Sequence, residues 1–214
     1  MTIAAAQPES LVTQGVRSLE VRWIFPGPLD DAVAAWFSRF PARVESREDT
    51  YLVYPRLRGL SVKIRGGRAL EVKAYRGSPG SLDLAGRARG RLESWQKWSY
   101  ACGPLSEDRR DPAFWRPVRK TRRLAQFGLA GGQIVAGAPE GGQEPHCQAE
   151  LTEIRPPDQD WWSLGLEATG PADLLRSTLE ATATLVFAPA MPGGMQPGLA
   201  ECRSYAEWLS ERPG

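Results

Sequence analysis

Charged side chains recur on one face of short alternating segments, and their types suit the binding of an anionic ligand. The cations on these faces are Arg22, Lys63, Arg65, Lys73, Lys120 and Arg122. Lys and Arg side chains donate charge-assisted hydrogen bonds to phosphate and carboxylate oxygens. Gathered in one dry enclosure, each unpaired ion would cost several kcal/mol, so the enclosure would need a bound polyanion or carboxylates among the cations. A solvated face is the alternative, and it costs less.

The charge is distributed unevenly along the chain, although its sum is small. The 214 residues carry 27 Lys/Arg and 25 Asp/Glu, a formal net charge of +2. Between Arg56 and Arg123 there are 18 Lys/Arg and 6 Asp/Glu, which leaves 9 and 19 for the rest of the chain. This asymmetry indicates an anionic ligand held by the middle of the chain, with acidic groups from both ends nearby.

The sequence lacks the signatures of several protein classes. It has no Walker-type phosphate loop, no nucleophile elbow and no paired-histidine zinc motif. The cysteines, Cys102, Cys147 and Cys202, are odd in number and far apart, which favours a reducing cytoplasm over a disulfide framework. The single histidine, His146, lies in a Gly/Pro-rich stretch and is better explained as a loop residue than as a metal ligand. No apolar run approaches the roughly 18 residues that a membrane-spanning helix needs.

The clearest local pattern is a hairpin in which Leu60, Val62 and Ile64 alternate with polar residues before a Gly-Gly pair. A two-residue loop would place Lys63 against Leu70 and mix the two faces. A three-residue loop over residues 66–68 instead pairs Ile64 with Leu70, Val62 with Val72, and Lys63 with Glu71. We therefore predict the longer loop.

The remaining elements follow from the same periodicities. Further strands are predicted at residues 18–23, 87–100, 118–127, 134–136, 147–154 and 161–168, and residues 76–85 are predicted to be a loop. Helices are predicted from Asp30 to a stop at Pro41, from Pro171 to about Phe187, and after Ser204, which forms a capping box with Glu207. Residues 1–15 are expected to be a flexible tail, and residues 16–214 a single domain. Six or more two-faced antiparallel strands favour an α+β fold whose sheet closes or nearly closes, because closure removes unpaired edges.

The order of these segments resembles the CYTH superfamily, the triphosphate tunnel metalloenzymes. Ser18-Leu19-Glu20-Val21-Arg22 stands where that family has Glu-x-Glu-x-Lys. The other segments that carry the resemblance are Tyr51-Leu52-Val53-Tyr54-Pro55, Lys63-Ile64-Arg65-Gly66-Gly67, Lys73, Lys120-Thr121-Arg122, Glu150, Gly165-Leu166-Glu167, and Ser204-Tyr205 with Leu209.

The resemblance implies a tunnel of eight antiparallel strands with a few flanking helices, in which a triphosphate is hydrolysed with Mg²⁺ or Mn²⁺. Its implied substrate-binding residues are Arg22, Lys63, Arg65, Lys73, Arg91, Lys120 and Arg122. Its implied metal ligands are Glu20, Glu150 and Glu167, and Glu20 and Lys73 are the implied catalytic residues.

Two departures from the family pattern leave a second interpretation open. Ser18 stands in place of the first glutamate of the opening motif, and Gly165 in place of one of the late pair. The chain is therefore either a diverged hydrolase or a tunnel that binds a phosphorylated or other anionic ligand without turnover. Nucleic-acid binding through residues 119–123 is disfavoured, because that run lacks interleaved glycines and aromatics. A homo-oligomer or a protein partner is left open, and nothing predicts a membrane. The four tryptophans at 95, 98, 161 and 162 are expected to pack inside the fold, with a stacking wall or a partner surface as the alternative.

Overall fold

A computed structural model describes residues 15–54, 57, 59–101, 111, 113–137, 144–156 and 159–211. The strands are β1 (Val16–Pro26), β2 (Ala42–Leu52), β3 (Leu60–Arg65), β4 (Ala69–Gly77), β5 (Ser81–Leu84), β6 (Ala88–Arg91), β7 (Glu93–Ala101), β8 (Trp115–Ala130), β9 (Gln133–Ala136), β10 (His146–Arg155) and β11 (Trp161–Thr169). The helices are α1 (Asp31–Phe37), α2 (Leu175–Phe187) and α3 (Tyr205–Ser210), with a 3₁₀ turn at Pro192–Gly194. Residues 1–14, which hold nearly all of the expected tail, and Cys102 lie outside the described residues.

Eight strands close into an antiparallel barrel. Their order is β10, β11, β1, β7, β4, β3, β2 and β8, and β8 pairs again with β10 to complete the ring. β9 extends β8 as a hairpin, and β5 and β6 form a separate two-stranded sheet. The predicted α+β fold with a closed eight-stranded antiparallel barrel is confirmed. Closure pairs every barrel strand on both sides over part of its length, which satisfies backbone groups that an open sheet would leave unpaired.

The central hairpin, β3 and β4, has the predicted register. Ile64 pairs with Leu70, Val62 with Val72, and Lys63 with Glu71. The loop between the strands holds Gly66 and Gly67 at φ values of 54° and 71°. Glycine enters this left-handed region without the steric cost that a Cβ imposes, so the Gly-Gly pair sets the turn and the turn sets the register.

The apolar strand faces point outward, where the helices cover them. On β1, Val21 and Trp23 are buried in the main apolar core together with residues of α2 such as Leu179 and Val186. The ring of Trp23 meets that of Phe187 edge to face, with centroids 5.7 Å apart. The outer surface of the barrel wall is therefore apolar where the helices cover it, and the charged strand faces line the inside.

The short helix α3 closes one end of the barrel. Its capping box is present as predicted: the Glu207 amide donates to Ser204 Oγ (3.2 Å), and the Ser204 amide donates to the Glu207 carboxylate (3.0 Å). Trp208 of α3 is buried against Trp161. None of the helices in the described part of the chain has the length and apolar character needed to cross a membrane.

Several element boundaries differ from prediction for local reasons. The segment predicted as one strand over residues 87–100 is two strands, β6 and β7, which are separated at Leu92. Leu92 is buried, and its amide donates a hydrogen bond to Gly80 O (2.9 Å). Residues 81–84 are β5 rather than loop. α2 begins at Leu175, since the preceding residues form a turn that the Leu174 amide closes on Pro171 O. α1 ends at Phe37, where Ser38 donates its hydroxyl to Ala35 O.

The largest difference is β2, which the apolar pattern does not predict. The inner face of Ala42–Leu52 is polar up to Tyr51, and the outer face mixes apolar Ala42, Val44 and Leu52 with polar residues, so no clean apolar face is present. The strand nevertheless pairs with β3 on one side and β8 on the other.

Candidate functional site

The barrel encloses two connected cavities. We call the cavity next to α3, about 90 Å³, the inner chamber, and the wider cavity of about 850 Å³ at the opposite end the mouth. Six residues line both: Arg47, Lys63, Glu71, Lys73, Arg122 and Glu167. Because these residues are shared, the two cavities form one tunnel that α3 closes at its inner end.

The two cavities differ in charge. Among the described residues, the inner chamber is lined by six cations and five carboxylates: Arg22, Arg47, Lys63, Lys73, Lys120 and Arg122 against Glu20, Glu71, Glu93, Glu150 and Glu167. The mouth is lined by eight cations and two carboxylates: Arg17, Arg43, Arg47, Lys63, Arg65, Lys73, Lys97 and Arg122 against Glu71 and Glu167. By its lining residues the chamber is nearly neutral and the mouth has an excess of cations. Carboxylates behind the lining of the mouth, Glu45, Asp49, Glu20 and Glu150, pair with several of the mouth cations.

Behind the lining of the chamber, Asp49 of β2 is the carboxylate around which the cations of three strands meet. It is fully buried and lies 3.1 Å from Lys63 Nζ, 3.0 Å from Arg47 Nε and 3.8 Å from Lys120 Nζ. Burial alone would raise the pKa of Asp49, but Lys63, Lys120 and Arg47 together hold it well below its usual value. Asp49 therefore stays ionised.

Glu150 of β10, on the other side of β8 from β2, also gathers cations. Its carboxylate accepts from Arg122 Nη2 (2.6 Å), from Thr152 Oγ1 (2.6 Å) and, at 3.4 Å, from Arg22 Nη1. Burial opposes the charge of Glu150, yet Arg122 and Arg22 hold its pKa well below the ordinary value. Glu150, Arg122 and Arg22 form a buried cluster in which the carboxylate is balanced by the two guanidinium groups.

Lys73 of β4 bridges the two remaining predicted carboxylates. Its Nζ lies 2.7 Å from Glu20 and 3.5 Å from Glu167. Burial works against the ammonium, but Glu167 and Glu20 raise the pKa of Lys73 above its ordinary value. Glu20 also accepts a hydrogen bond from Ser18 Oγ (2.5 Å). Ser18, which stands in place of a glutamate in the family pattern, therefore binds the glutamate that is present.

Lys120 of β8 is the least compensated cation in the chamber. Its Nζ contacts Tyr51 Oη (2.5 Å) and lies 3.5 Å from the centre of the Tyr205 ring. Burial lowers the pKa of Lys120 well below its ordinary value, although Asp49 opposes this change. Lys120 therefore gives up its proton more readily than an exposed lysine would.

The predicted metal ligands do not fit a metal ion in this arrangement. Glu20, Glu150 and Glu167 are brought to one wall of the tunnel, but each is already paired with a cation of the chain. No group of three or more His, Cys, Asp or Glu side chains within the described ranges is placed to hold a metal. Mg²⁺ or Mn²⁺ would have to displace Lys73 or an arginine from these carboxylates.

The structure brings most of the predicted cations together but not Arg91. Lys63, Lys73 and Arg122 line both cavities, Arg65 lines the mouth, and Arg22 and Lys120 line the inner chamber. Arg91 lines neither, because its strand β6 is outside the barrel. Its guanidinium instead joins Glu93 (2.7 Å) to Glu207 of α3 (2.6 Å).

Sequence reasoning missed the contribution of β2. Glu45, Arg47 and Asp49 alternate along this strand, and all three bond to cations or carboxylates of the tunnel wall. A period of two in charge, continued by Tyr51, was the available signal. An apolar face is the usual guide to a strand, and β2 has none because its outer face mixes apolar and polar residues.

Two further expectations concern His146 and the tryptophans. His146 begins β10 and lines the mouth, and its ring nitrogens contact Glu144 O (3.0 Å) and Thr169 Oγ1 (2.7 Å). Trp95 and Trp162 are buried as expected, whereas Trp98 and Trp161 are only partly buried. Trp95 also lines the inner chamber, where its Nε1 donates to Glu93 (3.1 Å).

Comparisons with known proteins place this chain at a distance from them. No family model matches the sequence, and no curated protein matches it. Among solved structures, the chain is similar to the S. pombe Pct1 RNA triphosphatase in complex with the Spt5 CTD. The sequence identity is 10%, the TM-score is 0.41, and the match covers 83% of this chain and 84% of that one. The side chains of this tunnel must therefore supply the functional argument.

Proposed function

We propose that this protein binds a compact polyanion, a triphosphate or another phosphorylated molecule, in its barrel tunnel. One observation carries the proposal: eight Lys/Arg and only two Glu line the mouth among the described residues. A concave site with one sign of charge and low-dielectric walls concentrates ligands of the opposite charge. Compact clustered charge, as in phosphate groups, is the ligand chemistry that fits such a site.

The register of the wall supports the same proposal. Lys73 on β4 and Lys97 on β7 are directly opposite each other, an arrangement of like charges that destabilises a sheet. Lys73 is paired with Glu20 at 2.7 Å, whereas the only carboxylate beside Lys97 among the described residues is Glu167, at 3.8 Å. Lys97 is therefore the less closely paired of the two lysines, and a bound anion can contact it.

The tunnel offers successive depths to such a ligand. Arg65 and Lys97 can contact the ligand at the mouth. Lys63, Lys73 and Arg122, which line both cavities, can contact it further inside. The inner chamber is small, so the mouth takes the bulk of the ligand, and Arg22 and Lys120 act on it from the deep end.

Titration calorimetry with tripolyphosphate tests the binding function. We expect binding by the wild-type protein, weakened about tenfold or more by Lys63→Ala or Arg122→Ala, which is at least about 1.4 kcal/mol. Arg119→Ala is the control for the loss of a cation from β8, since Arg119 is exposed on the outer face, and circular dichroism of each variant separates lost binding from a lost fold. Absence of tripolyphosphate binding, or equal weakening by Arg119→Ala, would contradict the proposal.

Hydrolysis of the bound triphosphate is the second candidate function. The observation that favours it is the gathering of Glu20, Glu150 and Glu167 on one wall beside Lys73, the set that the family resemblance implies. Phosphate release from tripolyphosphate and nucleoside triphosphates in Mg²⁺ or Mn²⁺ tests it, with Glu20→Gln as the inactive control. No release from any of these substrates removes the catalytic version and leaves the binding function.

A cytoplasmic location is part of the proposal. Cys147 and Cys202 are free thiols, and Cys147 is fully buried. Burial raises the pKa of Cys147 to about 12, so its thiol is unreactive. Unpaired thiols are the usual state in a reducing compartment.

A further inference from the structure

The guanidinium of Arg22 packs against Gly165, which has no side chain to occupy that space, and we call this place the seat of Arg22. Gly165 on β11 is directly opposite Arg22 on β1 and directly opposite Glu150 on β10. A Cβ built on Gly165 would lie 2.9 Å from Cζ of Arg22 and 3.0 Å from each of its terminal nitrogens. The shortest of these distances is below what Cβ atoms show, so a side chain at this position would require the guanidinium of Arg22 to shift from its present place.

The seat holds the guanidinium from several sides. Besides Glu150, Arg22 Nη1 donates to Ser163 Oγ (3.2 Å), and Cζ lies 4.7 Å from the centre of the Tyr205 ring. Only 12% of the side chain is exposed. Burial opposes its charge, but Glu150, Tyr205 and Glu20 raise the pKa of Arg22 above the ordinary value. Arg22 is therefore a permanent cation at a fixed place.

That place is among the three gathered carboxylates. Glu20 and Glu167 are directly opposite each other on β1 and β11, and Lys73 bridges them. Glu150 is one strand further on and lies against Arg22. The chain thus places the positive charges of Arg22 and Lys73 beside the carboxylates that a divalent ion would need as ligands.

We infer that Arg22, seated against Gly165, is a built-in counter-ion that with Lys73 replaces a divalent metal among Glu20, Glu150 and Glu167. Anion binding in the tunnel is then independent of divalent cations. The second statement rests on the proposed function, whereas the first concerns the chain alone.

Mn²⁺ binding by the protein without any anion tests the role of Arg22 directly. Titrations followed by electron paramagnetic resonance compare the wild-type protein with Arg22→Met and Gly165→Ala. We expect the wild type to bind Mn²⁺ at least about tenfold more weakly than Arg22→Met, which removes the guanidinium, and, by a smaller factor, more weakly than Gly165→Ala, which displaces it. Arg119→Met is the control and should behave as wild type. Should Arg22→Met fail to fold, Gly165→Ala decides. Equal Mn²⁺ affinity in the wild type and the variants overturns the assignment.

Tripolyphosphate binding in excess EDTA and in excess MgCl₂ tests the second statement, after correction for the complex that Mg²⁺ forms with free tripolyphosphate. We expect dissociation constants within about threefold of each other, less than about 1 kcal/mol. Binding that needs Mg²⁺ overturns this inference but keeps the proposed function. Absence of binding in both conditions overturns the proposed function and leaves the Mn²⁺ titration to decide the role of Arg22.

Discussion

The inner chamber and the mouth are built on the same strands but hold their charges differently. In the chamber six cations face five carboxylates, and in the mouth eight cations face two. A charge that is removed from water must be compensated by the protein itself, because an unpaired buried ion costs several kcal/mol. At the mouth, water and mobile ions screen the charges, so an excess of one sign is tolerated.

This difference separates two roles for similar residues. Charges in the chamber hold the barrel and α3 together, and their removal should destabilise the fold. Cations that line only the mouth, such as Arg65 and Lys97, are more exposed, and their removal should weaken ligand binding while the fold remains. The four predictions below test that separation.

The largest effect is expected from Glu150→Gln in the chamber. The substitution leaves Arg122 and Arg22 buried without their main partner, and we expect a loss of about 3 to 5 kcal/mol in the free energy of unfolding. Chemical denaturation measures it. Glu153→Gln, three residues along the same strand, is the control: Glu153 pairs with Arg123 and Arg155 on the outer face, and its loss should cost less than about 1 kcal/mol. Similar losses for the two variants would show that the chamber is not special.

A second effect concerns acid stability and Glu71. Burial would raise the pKa of Glu71, but Lys63 and Arg65 lower it from 4.5 to about 2. A carboxylate with a lowered pKa stabilises the fold above its unfolded pKa, and this contribution is lost as pH falls from about 4.5 toward 2. The shift corresponds to on the order of 3 kcal/mol.

We therefore expect Glu71→Gln to lower stability at pH 7 and to flatten the decline of stability between pH 4.5 and about 2. Unfolding measured across that range checks the prediction. Glu180→Gln, at an exposed pair with Arg176 on α2, should keep the wild-type slope. An unchanged slope in Glu71→Gln would argue against a strongly paired Glu71.

At the mouth, Lys97→Ala should act on binding rather than on stability. We expect tripolyphosphate affinity to fall about tenfold, about 1.4 kcal/mol, because the variant removes one of the paired lysines. The free energy of unfolding should change by less than about 0.5 kcal/mol, or rise slightly as the repulsion from Lys73 is relieved. A large loss of stability with unchanged affinity would reverse the assignment of roles to the two regions.

The smallest effect is proton uptake by Lys120 on binding. Because burial lowers the pKa of Lys120 in the free protein, a bound anion should restore the ammonium, and affinity should fall as pH rises. Calorimetry in two buffers of different ionisation enthalpy measures the uptake. Lys120→Met should abolish it, whereas His146→Gln, at the mouth, should not. Equal uptake in the wild type and in Lys120→Met would assign the proton to another group.

The sequence predicted the faces of the strands well because that information is local. The alternation around Leu60 and the Gly-Gly pair were enough to predict the register of β3 and β4, which the structure confirms. The same alternation placed Lys120 and Arg122 on one face of β8, and both are buried there. It did not predict β2, because the outer face of that strand mixes apolar and polar residues and shows no clean alternation.

By itself, the sequence determined which side chains share a face, since a strand's period of two is a property of neighbouring residues. It could not determine which charges meet across the tunnel, because those distances depend on closure of the barrel between β8 and β10 and on the position of α3. Only the tertiary structure therefore decided that Asp49 compensates the cations of three strands, and that Arg22 occupies the space beside Gly165. Pair distances between strands far apart in the chain decide whether a carboxylate binds a metal or a guanidinium, and no local pattern contains them.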